Sequence, residues 1–353
     1  MCLPGGIVAT MKAMILRQVA PIDEMENPLE FIDLPIPEPG DAEVLIKVSA
    51  CGVCHTELDE IEGRAAPPRL PVIPGHEVVG VVERVGQSVS EHRIGDRVGV
   101  GWIFSSSGER DENLSPEFLG TGRDANGGYA EYMVVPARYA YPIPAAFSDV
   151  EAAPLLCAGA IGYRSLKLTG LRNGQRLGLT GFGASAHIVL QLAGALYPDS
   201  PVCVFARNPR ERSFALELGA AWAGDTAEHV PEPLDAIIDT TPAWKPVVEA
   251  LGNLRPGGRL VINAIRKEDS DRDYMANLSY HDHLWMEKEI KSVANITGRD
   301  IAEFLPLAAR IPIRPAVQTF PLERANEALL ALRRGGTPGA KVLLPFSTQN
   351  ECG

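Results

Sequence analysis

The chain has 353 residues, of which 45% are hydrophobic and 22% are charged. This length corresponds to about two domains, and the proportions exclude a disordered chain, a collagen and a coiled coil. The 45 acidic residues outnumber the 33 basic ones, and no basic run interrupts the resulting net charge of −12. Because phosphate-backbone binding depends on Lys and Arg, we expect no nucleic-acid partner.

The longest stretch without a charged residue, 177–198, contains several Gly residues and polar Ser, His and Gln side chains. These residues predict a buried segment and no membrane span. No basic region followed by an apolar core and a cleavage site begins the chain, so no secretory signal is predicted. Six cysteines without a dense framework are typical of a reducing compartment. We expect a cytoplasmic protein, with residues 1–10 as a disordered extension.

Two patterns follow each other along the chain. From residue 11 to about 144, short β-branched runs broken by Gly and Pro predict an antiparallel, partly closed β domain. After Glu151, strands and amphipathic helices alternate, which predicts a parallel sheet with helices on both faces. Two later helical runs flank the strand-like AVQTF, and we assign this tail to the first domain. The predicted α/β architecture thus has a first domain at 11–160 and 300–353, with a second domain inserted at 161–299.

The second domain begins with a glycine motif. The strand QRLGLT leads into GFGASA at 181–186 and then into a helix, which is the G-x-G-x-x-G/A arrangement in its required context. Gly181 permits the tight turn, Gly183 lets a pyrophosphate approach the backbone, and Ala186 lets the helix meet the strand. The helix start at Ala184 offers free N–H groups to the phosphates. The motif predicts a dinucleotide site; a turn selected only for close packing is the alternative.

The tip of the next strand indicates which dinucleotide binds. The strand PVCVF is followed by Ala206, Arg207 and Asn208, and none of these is the carboxylate that would hold the ribose hydroxyls of NAD. A guanidinium suits a 2′-phosphate, so NADP is favoured over NAD. If Arg207 only begins a solvated helix, NAD remains usable. Three residues at later strand ends are expected near the nicotinamide: Thr240, Asn263 and Asn295.

Candidate metal ligands occur in three segments: CGVCHTE from residue 51, GHE at 75–77 and LCAG at 156–159. Two thiolates and an imidazole can form a tetrahedral zinc site with one open position, as in catalytic zinc centres. Taken alone, Cys157 is more typical of a small apolar core residue. The residues by themselves therefore leave both interpretations open.

Together, CGVCHTE, GHEVVG, LLCAGAIGY and GFGASA resemble the zinc-dependent medium-chain alcohol dehydrogenases in order and spacing, from residue 11 to about 345. The resemblance implies a GroES-like, partly closed β-barrel as the catalytic domain and a Rossmann domain for the nucleotide. The zinc ligands that it implies are Cys54, His76 and Cys157. It also implies that Glu77 takes a coordination position during ligand exchange and that Cys51 binds no metal.

The resemblance implies an activity as well. Zinc polarises the substrate oxygen while hydride passes between a primary alcohol, or its aldehyde, and the nicotinamide. Thr56 contacts the substrate oxygen and begins a proton relay, and His55 contacts the pyrophosphate. Glu57 orients the metal site, and Trp102 lines the substrate pocket unless it is only a core residue. Relatives form dimers or tetramers, so we expect a homodimer or homotetramer, with the edge strand KSVAN as a joining element.

Two departures of the sequence from this family concern the proton relay and the metal content. Asp59 stands where many relatives have the histidine that ends the proton relay, so either this carboxylate takes part or the relay ends in water. The lobe from Ser105 lacks the four cysteines that bind a structural zinc in relatives, so we predict one catalytic zinc per chain. A zinc-free quinone or enoyl reductase of the same superfamily and a non-catalytic NADP-binding protein are the alternatives.

Overall fold

The computed structural model describes residues 9–22, 24–25, 27–311, 313–335 and 339–346. The strands in chain order are β1 (Thr10–Leu16), β2 (Leu29–Pro35), β3 (Glu43–Val53), β4 (Glu77–Val85), β5 (Arg97–Val100), β6 (Ile103–Ser105), β7 (Leu119–Gly120), β8 (Tyr132–Pro136), β9 (Tyr141–Pro142), β10 (Leu177–Thr180), β11 (Val202–Phe205), β12 (Trp222–Gly224), β13 (Leu234–Asp239), β14 (Leu254–Ile262), β15 (Glu289–Ser292), β16 (Val317–Pro321) and β17 (Ala340–Leu344). The α-helices are α1 (His55–Ile61), α2 (Asp149–Ala152), α3 (Ala158–Thr169), α4 (Ala184–Leu196), α5 (Pro209–Glu217), α6 (Lys245–Asn253), α7 (Gly298–Arg310) and α8 (Ala325–Arg334).

The described residues form two compact units. The first runs to Leu156 and includes Gln318–Arg333 and the chain from Lys341 onward, and the second comprises Cys157–Val317 and Arg334–Ala340. These limits differ from the predicted domain limits, which place all of 300–353 in the first domain.

The difference concerns α7 above all. Arg164 on α3 pairs with Asp300 at 2.7 Å, and the ring of Tyr163 stacks on Phe304 with centroids 5.7 Å apart. These contacts join two helices of the second unit across more than a hundred residues of chain. The sequence pattern predicts the helix but not the surface on which it packs.

The first unit is built around a seven-stranded sheet in the order β16-β17-β3-β4-β5-β9, with β8 also paired to β3. β3 pairs antiparallel with β4, β8 and β17, and its residues from Val44 to Ile46 are buried. The β-rich architecture predicted for the first domain is confirmed. The run DRVGVGWIF is divided into β5 and β6, which lie in different sheets.

The second unit contains a six-stranded parallel sheet in the order β12-β11-β10-β13-β14-β15. Its direction of winding reverses between β10 and β13, as in a Rossmann fold. Part of the core is a cluster that includes Phe205, Leu234, Leu251 and Leu260. The predicted nucleotide-binding fold is therefore confirmed.

The charge-free stretch and the amino-terminal segment can both be compared with their predictions. The charge-free stretch 177–198 forms β10, a turn and α4, and most of its residues are buried. No helix in the described part of the chain combines the length and the apolar character that a membrane crossing needs. Of the expected extension, residues 1–8 lie outside the described residues, whereas Thr10 already belongs to β1.

The cysteine-free lobe after β6 is held by a buried polar network. The Tyr139 hydroxyl donates to Glu112 Oε2 at 3.0 Å, and Arg138 Nη2 donates to the Tyr139 oxygen at 2.8 Å. Ser106 Oγ donates to the backbone oxygen of Glu112 at 2.7 Å. Glu112 and Tyr139 are only 5% and 3% exposed, so these bonds form away from water.

Candidate active site

Cys54 occupies the junction between a strand and a helix. β3 ends at Val53 and α1 begins at His55, so Cys54 is the residue that caps the helix. Its backbone N–H donates to Glu57 Oε2 at 2.8 Å. This bond fixes the turn from which the Cys54 thiol projects.

His76 precedes β4 and is completely buried. Its Nδ1 lies 2.6 Å from Glu57 Oε1, and neither side chain is exposed. The other ring nitrogen, Nε2, is also buried. A carboxylate that holds one nitrogen of an imidazole while the other binds metal is a common arrangement in metal sites. Glu57 therefore lies beside His76, and its role in orienting the metal site stays a prediction.

Four potential ligands converge at this point. One ligand atom from each of Cys54, His76, Glu77 and Cys157 lies within 4.8 Å of the other three. Cys157 is joined directly to Leu156 of the first unit and precedes α3. Ligands of a tetrahedral zinc lie roughly 3.5 Å apart, since Zn–S and Zn–N bonds are about 2.3 and 2.1 Å. Two thiols that form no disulfide, an imidazole and a carboxylate at this spacing fit a zinc ion.

The electrostatics of the cluster favour a positive charge. Burial by itself lowers the pKa of His76, but the negative charge of Glu57 and hydrogen bonds to Cys54 and Glu57 raise it well above its usual value. A histidine responds in this way when anionic groups surround it. The same surroundings would stabilise a bound cation.

The predicted relay residues lie on α1. Thr56 is buried, and its Oγ1 is 3.6 Å from Cys54 Sγ, whereas His55 is exposed. Arg64 Nε donates to Asp59 Oδ1 at 2.5 Å. Burial raises the pKa of Asp59, although Arg64 opposes this shift. The structure thus brings Thr56 to the cluster and ties Asp59 to a guanidinium; the relay roles of both residues stay predictions.

Trp102 lies beside the cluster. Its ring centroid is 6.0 Å from that of His76, and the side chain is half-buried. A Cβ on Gly120 would lie 3.0 Å from Trp102 Nε1, so a glycine at this position leaves room for the indole. This placement agrees with a role in lining the pocket, which stays a prediction.

The glycine motif forms the turn between β10 and α4. Gly181 has φ +75°, and a Cβ there would lie 3.0 Å from Thr240 Oγ1, so both backbone and space favour glycine. Gly183 caps α4, Ala184 is the first residue of the helix, and Ala186 is fully buried. The structure therefore places these four predicted residues at one strand-to-helix turn.

Neutral and cationic groups occupy the tip of β11. Ala206 is buried, Arg207 is exposed, and Asn208 caps α5. Arg212 Nη1 donates to the backbone oxygen of Ala206 at 2.7 Å and lies 3.1 Å from Asp225 Oδ2. The Asp225 carboxylate is thus paired with a guanidinium at this tip.

The residues predicted near the nicotinamide follow the neighbouring strands. Thr240 follows β13, and both its N–H and its hydroxyl donate to the backbone oxygen of Thr180, at 3.0 and 2.9 Å. Asn263 follows β14, with its N–H donating to Asp239 O at 2.7 Å. Asn295 follows β15 and has a left-handed φ of +52°. Because carboxyl ends of parallel strands share one edge of a sheet, these residues lie on the same edge as Gly181.

Comparison with known proteins identifies the family. The alcohol dehydrogenase GroES-like domain matches residues 40–145. Over 347 residues the chain is 44% identical to a probable alcohol dehydrogenase, AdhA, of Mycobacterium tuberculosis, which covers 95% of this chain and 98% of that one. The chain belongs to the zinc-type alcohol dehydrogenase family. An alcohol dehydrogenase of Geobacillus stearothermophilus is 34% identical over 341 residues, covering 92% of this chain and 98% of its own.

Solved structures of this family support the same assignment. A cinnamyl alcohol dehydrogenase of Sorghum bicolor, SbCAD4, is 27% identical with a TM-score of 0.80 and covers 95% of this chain and 97% of its own. Membership in the zinc-type alcohol dehydrogenase family confirms the resemblance drawn from the four motifs. It also establishes that the protein is an oxidoreductase.

Two further residues in this member of the alcohol dehydrogenase family were not predicted. Glu60 on α1 is 1% exposed, and neither carboxylate oxygen has a hydrogen-bond partner among the described residues. Burial, followed by the charge of Glu57, raises the pKa of Glu60 well above its usual value. Its spacing of four residues from Thr56 places it on the same helix face, which was a usable signal. Arg212 had no such signal, because its contact with Ala206 depends on the fold.

Proposed function

We propose that the protein is a zinc-dependent alcohol dehydrogenase or aldehyde reductase that transfers hydride between a primary alcohol, or its aldehyde, and a nicotinamide cofactor. The observation that supports this most directly is the convergence of Cys54, His76, Glu77 and Cys157 within 4.8 Å. In this proposal Cys54, His76 and Cys157 hold one zinc, and Glu77 is the carboxylate available for ligand exchange.

The zinc, when bound, supplies Lewis-acid polarisation of the substrate oxygen. The chain's own residues orient the other components. Glu57 holds the His76 ring through Nδ1, which leaves Nε2 as the nitrogen that would bind the metal. The Thr56 hydroxyl can donate and accept a hydrogen bond at the substrate oxygen. Trp102 narrows the pocket, which favours unbranched primary alcohols.

The cofactor is NADP in preference to NAD. Arg207 is exposed at the strand tip, where its guanidinium is available to a 2′-phosphate, and Asp225 is paired with Arg212. Replacing Arg207 with Ala should weaken NADPH binding by about tenfold, the scale of a lost charged hydrogen bond, while NADH affinity serves as the internal reference. Equal changes for both cofactors would contradict the preference.

The proposed function is tested by metal analysis together with NADPH oxidation over a panel of aldehydes. We expect about one zinc per chain, with no structural zinc, and loss of both zinc and turnover in Cys54→Ser. Cys203→Ser is the matched control, because Cys203 is a buried cysteine of β11 outside the cluster. Cofactor binding without metal or turnover would identify a non-catalytic protein, and turnover without metal would identify a zinc-free reductase.

Assembly into a homodimer or homotetramer is proposed through β15. All four residues of this strand are exposed, and it lies at the edge of the parallel sheet. An open edge can pair with a second copy across a two-fold axis. Light scattering of the wild type and of Ile290→Pro tests this, since proline removes an N–H from the edge. A wild-type monomer would contradict it.

A further inference from the structure

A buried ion pair lies at the carboxyl ends of two central strands of the second unit. The Lys267 ammonium pairs with Asp239 Oδ2, and the two side chains are 7% and 0% exposed. Lys267 Nζ also donates to the backbone oxygen of Thr241 at 2.6 Å. The hydroxyls of Thr180 and Thr241 donate to Asp239 Oδ1 at 2.6 and 2.8 Å. Both carboxylate oxygens of Asp239 are therefore engaged.

Lys267 belongs to a segment that is fastened along its length. We call residues 263–271, which follow β14, the strap. The N–H of Glu268 donates to the backbone oxygen of Pro242 at 2.7 Å. The Asp271 carboxylate accepts from the N–H of Lys245, the first residue of α6, at 2.8 Å. The strap is thus bound to the chain that leads from β13 into α6. Among these contacts, the buried charged group of the strap is the Lys267 ammonium.

This place in the sheet is where a ligand is expected. The strand order reverses between β10 and β13, and open α/β sheets bind ligands at such a switch point. The glycine turn contacts the same residues: a Cβ on Gly181 would lie 3.0 Å from both Thr240 Oγ1 and Thr241 Cγ2. Thr241 therefore lies next to the glycine turn, and its backbone oxygen accepts from the Lys267 ammonium.

Stabilisation of the fold is a weak explanation for the presence of this buried ion pair. Removing two charges from water costs several kcal/mol, and apolar replacements of buried pairs are often neutral or stabilising. What an ion pair provides is a defined geometry, because Asp239 and Thr241 both direct the ammonium. The position that it defines is that of the strap relative to the glycine turn.

We propose that Lys267 is a positioning residue for the nicotinamide half of the cofactor: by binding Asp239 and Thr241 it holds the strap as one wall of the crevice at the switch point. Lys267 acts through the strap and does not itself touch the reacting atoms. This inference rests on the proposed function, because it requires a nicotinamide dinucleotide in that crevice.

The test uses the full-length, zinc-loaded protein and two probes, NADPH and 2′,5′-ADP, which carries only the adenosine half. In Lys267→Met we expect NADPH to bind about tenfold more weakly, the scale of one charged hydrogen bond, and 2′,5′-ADP to bind as in the wild type. Lys267→Arg keeps the charge and should restore most of the NADPH affinity. Fluorescence titration measures the dissociation constants of NADPH and 2′,5′-ADP for the wild type and both variants.

A double variant separates positioning from stability. Asp239→Asn with Lys267→Met leaves no unpaired buried charge, so its melting temperature should recover relative to Lys267→Met, while NADPH affinity stays low. NADPH affinity that recovers with the melting temperature would overturn the inference, as would wild-type NADPH binding by Lys267→Met. If the wild type binds neither NADPH nor NADH, the proposed function fails as well. If the wild type binds NADPH and every variant binds it equally well, only this inference is refuted.

Discussion

Replacing Tyr139 with Phe removes one hydroxyl from the buried network of the cysteine-free lobe. That hydroxyl donates to Glu112 Oε2 at 3.0 Å and accepts from Arg138. Burial, followed by the hydrogen bond to Glu112, raises the pKa of Tyr139, so the phenol keeps its proton and acts as the donor. The change therefore leaves the Glu112 carboxylate buried with one donor fewer.

The expected cost follows from the charge and burial of the acceptor. Hydrogen bonds to charged groups contribute about 1.5–3 kcal/mol, and Glu112 at 5% exposure has little water to replace the lost donor. A cost of about 2 kcal/mol raises the population of an opened lobe about thirtyfold. Backbone amides of residues 105–124 should then exchange faster by a similar factor.

Hydrogen exchange followed by mass spectrometry measures this opening peptide by peptide. Tyr280→Phe is the control, because the Tyr280 side chain is 71% exposed and its hydroxyl has water available. Since no cysteine lies in the lobe, a zinc chelator should leave exchange of 105–124 unchanged in the wild type. Exchange in Tyr139→Phe that equals the control would refute the reasoning, and chelator-induced opening would show that metal holds the lobe.

Three further outcomes are expected. Burial lowers the pKa of His187, whose Nε2 accepts from the N–H of Ala316 at 3.1 Å. Folding thus favours the neutral form of His187. Its contribution to the free energy of unfolding is complete above the unfolded pKa of about 6.5 and is lost as pH falls below that value. In His187→Gln, the free energy of unfolding measured in urea should therefore depend less on pH between 7.5 and 5.5. Gly120→Ala should push the Trp102 indole and raise KM for benzyl alcohol more than for ethanol, and steady-state kinetics with both alcohols checks this. Gly181→Ala, at φ +75°, should weaken NADPH binding by about tenfold in a titration, because alanine is strained there, and unchanged affinity would contradict the assignment of the turn.

What could be predicted from the sequence has a local signal. The GFGASA turn is recognisable because a strand, three small residues and a helix follow one another, and the structure places Gly183 at the cap of α4. The metal ligands could be recognised only when three segments of the sequence were considered together. His76 and Cys157 are 81 positions apart in the chain, so only the combined order of the motifs indicated that they converge.

What could not be predicted depends on contacts between distant segments. Glu112 meets Tyr139 across 27 residues, and Lys267 meets Asp239 across 28. No periodicity connects such pairs, since each is formed only when the surrounding strands have paired. The placement of α7 in the second unit could not be predicted for the same reason, because the pair of Asp300 with Arg164 forms only when α7 packs on α3.

The pairing of β17 with β3 has a consequence for biosynthesis. Leu343 lies opposite Cys51, so β17 pairs with a strand that was translated nearly three hundred residues earlier. Domains generally fold as units while the chain emerges from the ribosome. Until β17 has been translated, the end of β3 at Cys51–Val53 is an open sheet edge, and such an edge is a site at which a nascent chain can aggregate.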